Sequence, residues 1–318
     1  MFGTVQANPQ RRHIITSSVE HPSVLEVCKE LQRRGLDVDF LQVNRQGELA
    51  IDDYVKTLQS ETLLVSIMLA NNETGVCYPV AELARIAKET SAEIIVHTDA
   101  TQAIGKLPVD LHGDLKQVDL LSFSGHKLHA PKGVGALFVR RGTRWRPFVL
   151  GGHQEGGRRA GTENVPYIVG LSKACELAVA GVNDEQTRVR ALRDRLQQSL
   201  QEQIPAIEVN GRDAQRLPNT LNLAIHGVEG EAILSELSRY GICASSGSAC
   251  TSGSLEPSHV LKAMAVPFTA IHGSLRISLS RYNNEEDVNR IITTLPGIVA
   301  NLRKLSPYWD NDRNCLDV

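Results

Sequence analysis

Short apolar runs that are typical of buried β-strands alternate with helical patterns through the first half of the chain. The strand patterns cover residues 13–16, 38–43, 63–68, 94–97, 118–123 and 134–139. The helical patterns that lie between some of them cover residues 23–34, 51–58 and 80–89. Because parallel strands need long crossover connections, which helices supply, this alternation predicts an α/β domain with a mostly parallel sheet covered by helices.

The pattern changes near residue 182, after an aperiodic stretch at 151–161 that is rich in Gly, Arg and His. The remaining chain has helical patterns at 184–203, 231–240 and 285–304, and strand patterns at 220–225 and 275–279. We therefore predict two domains, a large one over 1–181 and a smaller α+β one over 182–318, at about 100–200 residues per domain.

The composition excludes several classes of protein. The chain has 34 Lys and Arg against 36 Asp and Glu, a net charge of −2. This balance does not indicate the basic surface of a nucleic-acid-binding protein. No apolar run approaches the roughly 18–20 residues of a membrane span, and the N-terminal residues do not resemble a signal peptide. The six cysteines include no Cys-x-x-Cys pair, so neither a disulfide scaffold nor a metal site is expected. We expect a cytoplasmic protein.

A lysine motif, Ser-Gly-His-Lys, follows the strand pattern at 118–123. Lys127 would then lie at the carboxyl end of a strand, where open α/β sheets bind ligands. Ser124 and His126 beside it can hydrogen-bond an anion such as phosphate. The alternative is a solvated lysine in an ordinary turn.

Three other predicted strand ends also carry polar residues, namely His21, Asn72 and Asp99. A carboxylate at the end of a buried strand is costly unless it meets a cation or a donor, although it could simply cap the next segment. A pyridinium nitrogen is such a partner, and a lysine Schiff base with an Asp on the ring nitrogen is the arrangement of pyridoxal phosphate enzymes. His21 could stack on an aromatic ring and exchange protons near neutral pH. Together with Lys127, these strand ends predict the rim of one active site.

In the second half, residues 244–254 are nearly all small and surround Cys250. Such a segment is expected to be mobile and to expose the thiol, which suits nucleophilic attack by the thiolate. The alternative is an incidental surface cysteine. Arg276 falls inside the strand pattern at 275–279, where a buried guanidinium needs a carboxylate from the protein or from a substrate.

In combination these motifs resemble the NifS/IscS-type cysteine desulfurases, within the fold-type I, class V aminotransferase-like pyridoxal phosphate enzymes. The resemblance runs from about Arg11 to Trp309, and the stretch 151–166 is closer to the nitrogen-fixation branch than to the housekeeping branch. It rests on Glu-His-Pro, Asn-Asn-Glu-Thr-Gly, Asp-Ala-Thr-Gln, Ser-Gly-His-Lys, Arg-Ala-Gly-Thr-Glu-Asn and Ser-Gly-Ser-Ala-Cys-Thr-Ser. The implied fold is a fold-type I large domain with a smaller α+β domain.

The resemblance implies pyridoxal 5′-phosphate as the cofactor and assigns residues to it. Lys127 would bind it covalently, Asp99 would pair with the pyridine nitrogen, and His21 would stack on the ring. Asn72 and Gln102 would contact the ring substituents.

The remaining implied roles concern the phosphate and the substrate. Ser124 and His126 would bind the phosphate, and Thr162 would reach the phosphate of a neighbouring subunit's cofactor, which implies a homodimer. Arg276 would hold the α-carboxylate of the substrate, and Cys250 would attack its sulfur.

The implied activity is the conversion of L-cysteine to L-alanine, with the sulfur passing as a Cys250 persulfide to an iron–sulfur scaffold protein. Cys250 could thereby contact the iron or sulfur of a cluster transiently. Selenocysteine lyase activity remains an alternative, as does a transaminase of the same fold, which would not need Cys250.

Members of this family usually begin several dozen residues earlier, with a Gly-Thr-Glu motif at a helix N-terminus that cradles the cofactor phosphate. In this sequence no Gly-Thr-Glu precedes the first strand pattern at 13–16, and the one at 161–163 belongs to the Arg-Ala-Gly-Thr-Glu-Asn motif. We therefore expect a form that lacks the N-terminal segment and binds the cofactor less tightly. The corresponding alternative is a catalytically impaired homologue that acts only as an interaction protein.

Overall fold

The computed structural model describes residues 1–246, 257–310, 312–313 and 315–316. The chain divides into two compact units. The first comprises Met1–Gln42, Leu49–Ala70 and Tyr78–Val182, and the second comprises Val43–Glu48, Asn71–Cys77 and Asn183–Val318. The sequence-based division at 181/182 did not separate the two short segments, 43–48 and 71–77, from the first domain.

The first unit contains one sheet of six strands with the order β2-β1-β3-β4-β5-β6. Its elements are α1 (Phe2–Ala7), β1 (His13–Ser17), α2 (Pro22–Arg33), β2 (Asp37–Leu41), α3 (Ile51–Thr57), β3 (Thr62–Ser66), α4 (Val80–Thr90), β4 (Ile95–Asp99), β5 (Leu120–Ser124), a 3₁₀ turn (Gly125–Leu128), β6 (Gly135–Val139), a 3₁₀ turn (Gln154–Gly157) and α5 (Val165–Ala180). The first five strands are parallel, and β6 pairs antiparallel with β5. The predicted mostly parallel sheet is confirmed.

The core of the first unit follows from simple patterns. Every residue of β1 and of β3 is buried, as expected for interior strands of a parallel sheet. Helix α2 begins with Pro22 in its first turn and buries one face, on which Val24 and Leu25 are followed three or four residues later by Cys28 and then by Leu31. Burying this apolar stripe orients α2 and therefore the residues just before it.

The second unit is built on the antiparallel sheet β7-β8-β9. Its elements are α6 (Val182–Asp184), a π-helical turn (Glu185–Val189), α7 (Arg190–Gln203), β7 (Ile207–Val209), β8 (Thr220–Ile225), α8 (Gly230–Arg239), α9 (His259–Ala263), α10 (Phe268–Ile271), β9 (Ser274–Ser278), α11 (Glu285–Arg303), β10 (Trp309–Asp310) and β11 (Cys315–Leu316). Side chains of the sheet and of α7, α8 and α11 form one buried apolar cluster. The smaller α+β architecture is the one that the sequence predicts.

Within the described ranges no single helix is long and apolar enough to cross a membrane. Val165–Ala180 and Val182–Gln203 meet the length and composition criterion only as a bent pair.

Candidate active site

The carboxyl ends of neighbouring strands in the first unit carry the predicted polar residues. Strand β4 ends at Asp99, and its parallel neighbour β5 ends at Ser124. The 3₁₀ turn that follows β5 contains Lys127, which is exposed. Because parallel strands end at the same edge of a sheet, the structure brings the carboxylate and the amine to adjacent strand ends.

The turn that carries Lys127 is tightly constrained at Gly125. A Cβ atom at this position would lie 2.9 Å from the carbonyl oxygen of Val134, so only glycine fits without a backbone shift. The residue after the turn, His129, has a φ of 65°, which places it in the left-handed region. The backbone thus fixes where Lys127 leaves the sheet.

Hydrogen-bonding groups surround the start of this turn. The Ser124 hydroxyl lies 2.7 Å from Nδ1 of His126. Partial burial, together with the charges of Lys127 and Lys132, lowers the pKa of His126 below its usual value. An imidazole and a hydroxyl beside Lys127 and Lys132 suit an anionic ligand.

Asp99 is the last residue of β4, and Gln102 lies in the turn that follows it. The backbone N–H of Thr101 donates to Oδ1 of Asp99 at 2.9 Å, which orients the carboxylate. Gln102 is half-buried, and its carbonyl oxygen accepts a hydrogen bond from Nζ of Lys106 at 3.0 Å. Both side chains therefore belong to the same strand edge as the Lys127 turn.

His21 is the N-cap of α2 and follows β1. Its Nδ1 accepts a hydrogen bond from the backbone N–H of Ser23 at 3.2 Å and lies 2.8 Å from the Ser23 hydroxyl. Nδ1 is thus occupied by the cap, and Nε2 is the other ring nitrogen. The cap orients the imidazole at the edge where β1 ends.

Glu20 is a buried carboxyl group to which the sequence analysis assigned no role. Its Oε1 accepts hydrogen bonds from the backbone N–H of Met68 at 2.8 Å and from the Ser17 hydroxyl at 2.9 Å. Burial raises the pKa of Glu20 to about 8. The Glu-His-Pro motif was the available signal, because a carboxyl between apolar runs is costly to bury without partners.

A second buried polar group crosses the middle of the sheet. His97 in β4 lies 2.8 Å through Nδ1 from the Ser66 hydroxyl and 3.0 Å through Nε2 from the Ser122 hydroxyl. Burial lowers the pKa of His97 to about 3, so the ring stays neutral. The sequence analysis did not predict this group, which links β3, β4 and β5.

In the second unit the structure brings Arg276 and Asn72 together. Nη1 of Arg276 donates to the carbonyl oxygen of Asn72 at 2.8 Å. The Arg276 backbone pairs with Ser245 through its N–H (2.6 Å) and its carbonyl (3.1 Å). Oδ1 of Asn72 is buried and has no hydrogen-bond partner among the described residues. An orphaned amide oxygen of this kind is available to a ligand donor.

Glu73 adjoins Asn72 and is fully buried. Its Oε2 accepts a hydrogen bond from the Ser258 hydroxyl at 2.5 Å, and its carbonyl oxygen accepts one from Nδ2 of Asn222 at 3.1 Å. Burial raises the pKa of Glu73, whereas the Ser258 hydrogen bond and the charges of His259 and Arg276 act in the opposite direction. The sequence analysis quoted this residue within a motif without assigning it a role.

Two predicted residues stand apart from these groups. Cys250 lies outside the described residues. Thr162 is exposed, three positions before the start of α5. Among the described residues no group of three or more His, Cys, Asp or Glu is placed to hold a metal ion.

The sequence of this chain is similar to those of known proteins. The family model described as aminotransferase class-V matches residues 3–291. A cysteine desulfurase from Nostoc sp. is 54% identical over 310 residues, which cover 98% of this chain and 76% of that protein. The cysteine desulfurase NifS of Azotobacter vinelandii is 51% identical over 312 residues, which cover 98% and 77%. The chain thus spans about three quarters of the length of these relatives.

Solved structures give the same relationship. A NifS-like protein superposes with a TM-score of 0.87 at 37% sequence identity, covering 95% of this chain and 79% of that one. Similarity of this extent covers both units of the present chain.

Proposed function

Because this chain belongs to the aminotransferase class-V family, and within it to the NifS-type cysteine desulfurases, we propose that it converts L-cysteine to L-alanine using pyridoxal 5′-phosphate. The sulfur would be taken up by Cys250. The observation that carries this proposal is the placement of Asp99 and Lys127 at the ends of adjacent parallel strands.

The groups at this edge fit the cofactor. A primary amine at Lys127 can bind its aldehyde carbon, and the carboxylate of Asp99 can hold its ring nitrogen in the protonated form. The imidazole of His21 would lie against the ring. When bound, pyridoxal 5′-phosphate supplies an electron sink that makes the α-C–H bond of an amino acid acidic.

The remaining contacts would fix the ring substituents and the phosphate. Gln102 and Asn72 would contact the substituents, and the orphaned Oδ1 of Asn72 is suited to a donor. Ser124 and His126, whose side chains already contact one another, would bind the phosphate.

The chain's own residues then perform the remaining steps. Arg276 binds the α-carboxylate of L-cysteine, and Lys127 and His21 carry the α-proton. The Cys250 thiolate attacks the substrate sulfur, so that an S–S bond forms and the C–S bond breaks. The electron pair of that bond stays on the substrate carbon, which is protonated to give L-alanine. The products are L-alanine and a Cys250 persulfide, from which an iron–sulfur scaffold protein would take the sulfur.

A second copy of the chain is part of this proposal. Several large apolar side chains of the first unit are exposed, namely Val165, Val169 and Val179 in α5 and Phe148 and Leu150 in the segment before it. Exposed apolar side chains in this number favour an interaction site. Covering it with a second subunit would bring Thr162, just before α5, to the partner's phosphate.

The proposal is tested with the purified chain and added pyridoxal 5′-phosphate. We expect a visible absorbance band, a borohydride-reduced adduct on Lys127, and equal amounts of L-alanine and transferred sulfur. Cys250→Ala should abolish both products, whereas Cys243→Ala, which removes an exposed cysteine seven positions earlier, should retain them. If Cys250→Ala still produces L-alanine, or if a keto acid forms instead, the desulfurase assignment is wrong.

A further inference from the structure

Glu73 stands at a junction of three parts of the second unit. Its side chain binds Ser258, its carbonyl oxygen binds Asn222 in β8, and the preceding carbonyl, that of Asn72, binds Arg276. Asn222 is also the cross-strand partner of Arg276 in the pairing of β8 with β9. Glu73 is therefore connected to Arg276 in two ways, through the carbonyl group of Asn72 and through Asn222 on the neighbouring strand.

The Ser258 end of this junction is equally well defined. The Ser258 hydroxyl donates to Glu73 and accepts from the backbone N–H groups of Val260 and Leu261 at 3.1 and 3.3 Å. It is thus the N-cap of α9, and a cap of this kind orients the first turn of its helix. Helix α9 is the first described helix after the segment that contains Cys250.

Glu73 also interacts electrostatically with Arg276. The guanidinium is therefore held by a hydrogen bond to the Asn72 carbonyl and by attraction to the neighbouring carboxyl group. Because Glu73 is fully buried and Arg276 is half-buried, this attraction is screened less than it would be between two exposed groups. Oε1 of Glu73 has no hydrogen-bond partner among the described residues, so the hydrogen bond from Ser258 to Oε2 is what fixes the position of the carboxyl group.

We propose that Glu73 is a positioning residue that ties Arg276 to the start of α9, and so links the group that binds the substrate carboxylate to the element that follows Cys250. The roles of Arg276 and Cys250 rest on the proposed function, whereas the link between Arg276 and α9 does not. Glu73 is a buried residue held by a hydrogen bond to its side chain from Ser258 and by one to its carbonyl oxygen from Asn222, so a displacement at one of these contacts is transmitted to the other.

Amide hydrogen exchange on the full chain tests the link without any need for activity. In Ser258→Ala we expect exchange at least threefold faster at Val260, Leu261 and Arg276, with Leu223 of β8 within twofold of wild type. Asn284→Ala is the matched control, because it removes the N-cap of α11 in the same unit and should leave these amides unchanged. If exchange becomes faster at Val260 and Leu261 but is unchanged at Arg276, Ser258 acts only as a local helix cap and the link is overturned.

Kinetics test the consequence for substrate binding. Glu73→Gln keeps an acceptor for Ser258 but removes the charge beside Arg276, so we expect KM for L-cysteine to rise at least threefold, with kcat within twofold. Ser258→Ala should show the same separation, and Ser258→Thr, which keeps the hydroxyl, should restore KM. In the Arg276→Lys background, Glu73→Gln should raise KM for L-cysteine by less than a further twofold. An effect as large as that in wild type would overturn the proposal. If wild type produces neither L-alanine nor transferred sulfur, the proposed function fails, and the exchange result still decides the link.

Discussion

Oε1 of Glu20 accepts a hydrogen bond from the backbone N–H of Met68 at 2.8 Å, just beyond the ends of β1 and β3. The Ser17 hydroxyl donates to the same oxygen at 2.9 Å. Two neighbouring strand ends are thereby joined by one fully buried side chain. Since His21 is the next residue and caps α2, this contact fixes the backbone from which its imidazole projects.

Glu20 should make stability depend on pH. Burial raises its pKa from 4.5 to about 8 in the folded chain, so between these values the folded state binds more protons than the unfolded state. The stabilisation is present below about pH 4.5 and is lost as the pH rises through about 8. We expect the free energy of unfolding of wild type to fall over this range by up to about 1.4 kcal/mol per pH unit more than that of Glu20→Gln.

Urea unfolding at several pH values measures this difference. Glu20→Gln keeps an acceptor for Met68 without an ionisable group, which makes it the matched variant. Glu20→Ala should lose roughly 1–3 kcal/mol at every pH, because it leaves the buried N–H of Met68 without a partner. Parallel pH curves for wild type and Glu20→Gln would contradict the assignment of this titration to Glu20.

His97 should contribute to stability through its two serine contacts. Replacing it by Ala leaves the hydroxyls of Ser66 and Ser122 without their partner and opens a cavity in the sheet, which together should cost about 2–4 kcal/mol. The control is His112→Ala, at an exposed histidine, which should change the free energy of unfolding by less than about 0.5 kcal/mol. Equal effects of the two substitutions in thermal or urea unfolding would argue against a structural role for the His97 contacts.

The regular elements could be predicted because their patterns are local. Strand β8 coincides with the predicted 220–225, and α2 differs by one residue at each end from the predicted 23–34. Helix α5 was not predicted, because apolar side chains such as Val165 and Val179 are exposed and the helix has no single apolar face.

Long-range contacts could not be predicted from local patterns. The segment 43–48 belongs to the second unit, in which Nη2 of Arg45 lies 2.6 Å from Oε2 of Glu208. No neighbouring residue in the sequence encodes that pairing. The same limit applies to Glu73, since its partner Ser258 is 185 positions away. Motifs therefore identified the residues that we propose to contact ligands more readily than the residues that support them.

Ser124 should contribute to cofactor affinity if the proposed phosphate contacts are correct. A hydrogen bond to a charged group is worth about 1.5–3 kcal/mol, so Ser124→Ala should weaken pyridoxal 5′-phosphate binding roughly 10- to 150-fold. Ser122→Ala is the control on the same strand, because its hydroxyl contacts His97, and it should stay within about threefold of wild type. Absorbance titration measures both constants, and equal affinities for the two variants would contradict the assignment of Ser124.

Thr162 should act on the neighbouring subunit's cofactor, and heterodimers test this directly. Thr162→Ala alone should weaken cofactor binding about tenfold or more, and Lys127→Ala alone should abolish the reducible adduct. In a heterodimer of these two variants, one site combines Lys127 of the first chain with Thr162 of the second, and is therefore wild type. We expect one site per dimer to bind the cofactor with wild-type affinity. A heterodimer of wild type with Lys127→Ala is the control and should show the same result. Both affinities are measured by cofactor titration of heterodimers purified through different tags on the two chains. If Thr162 acted within its own subunit, the mixed dimer would have no site with wild-type affinity. A chain that is monomeric by light scattering would also contradict the shared site.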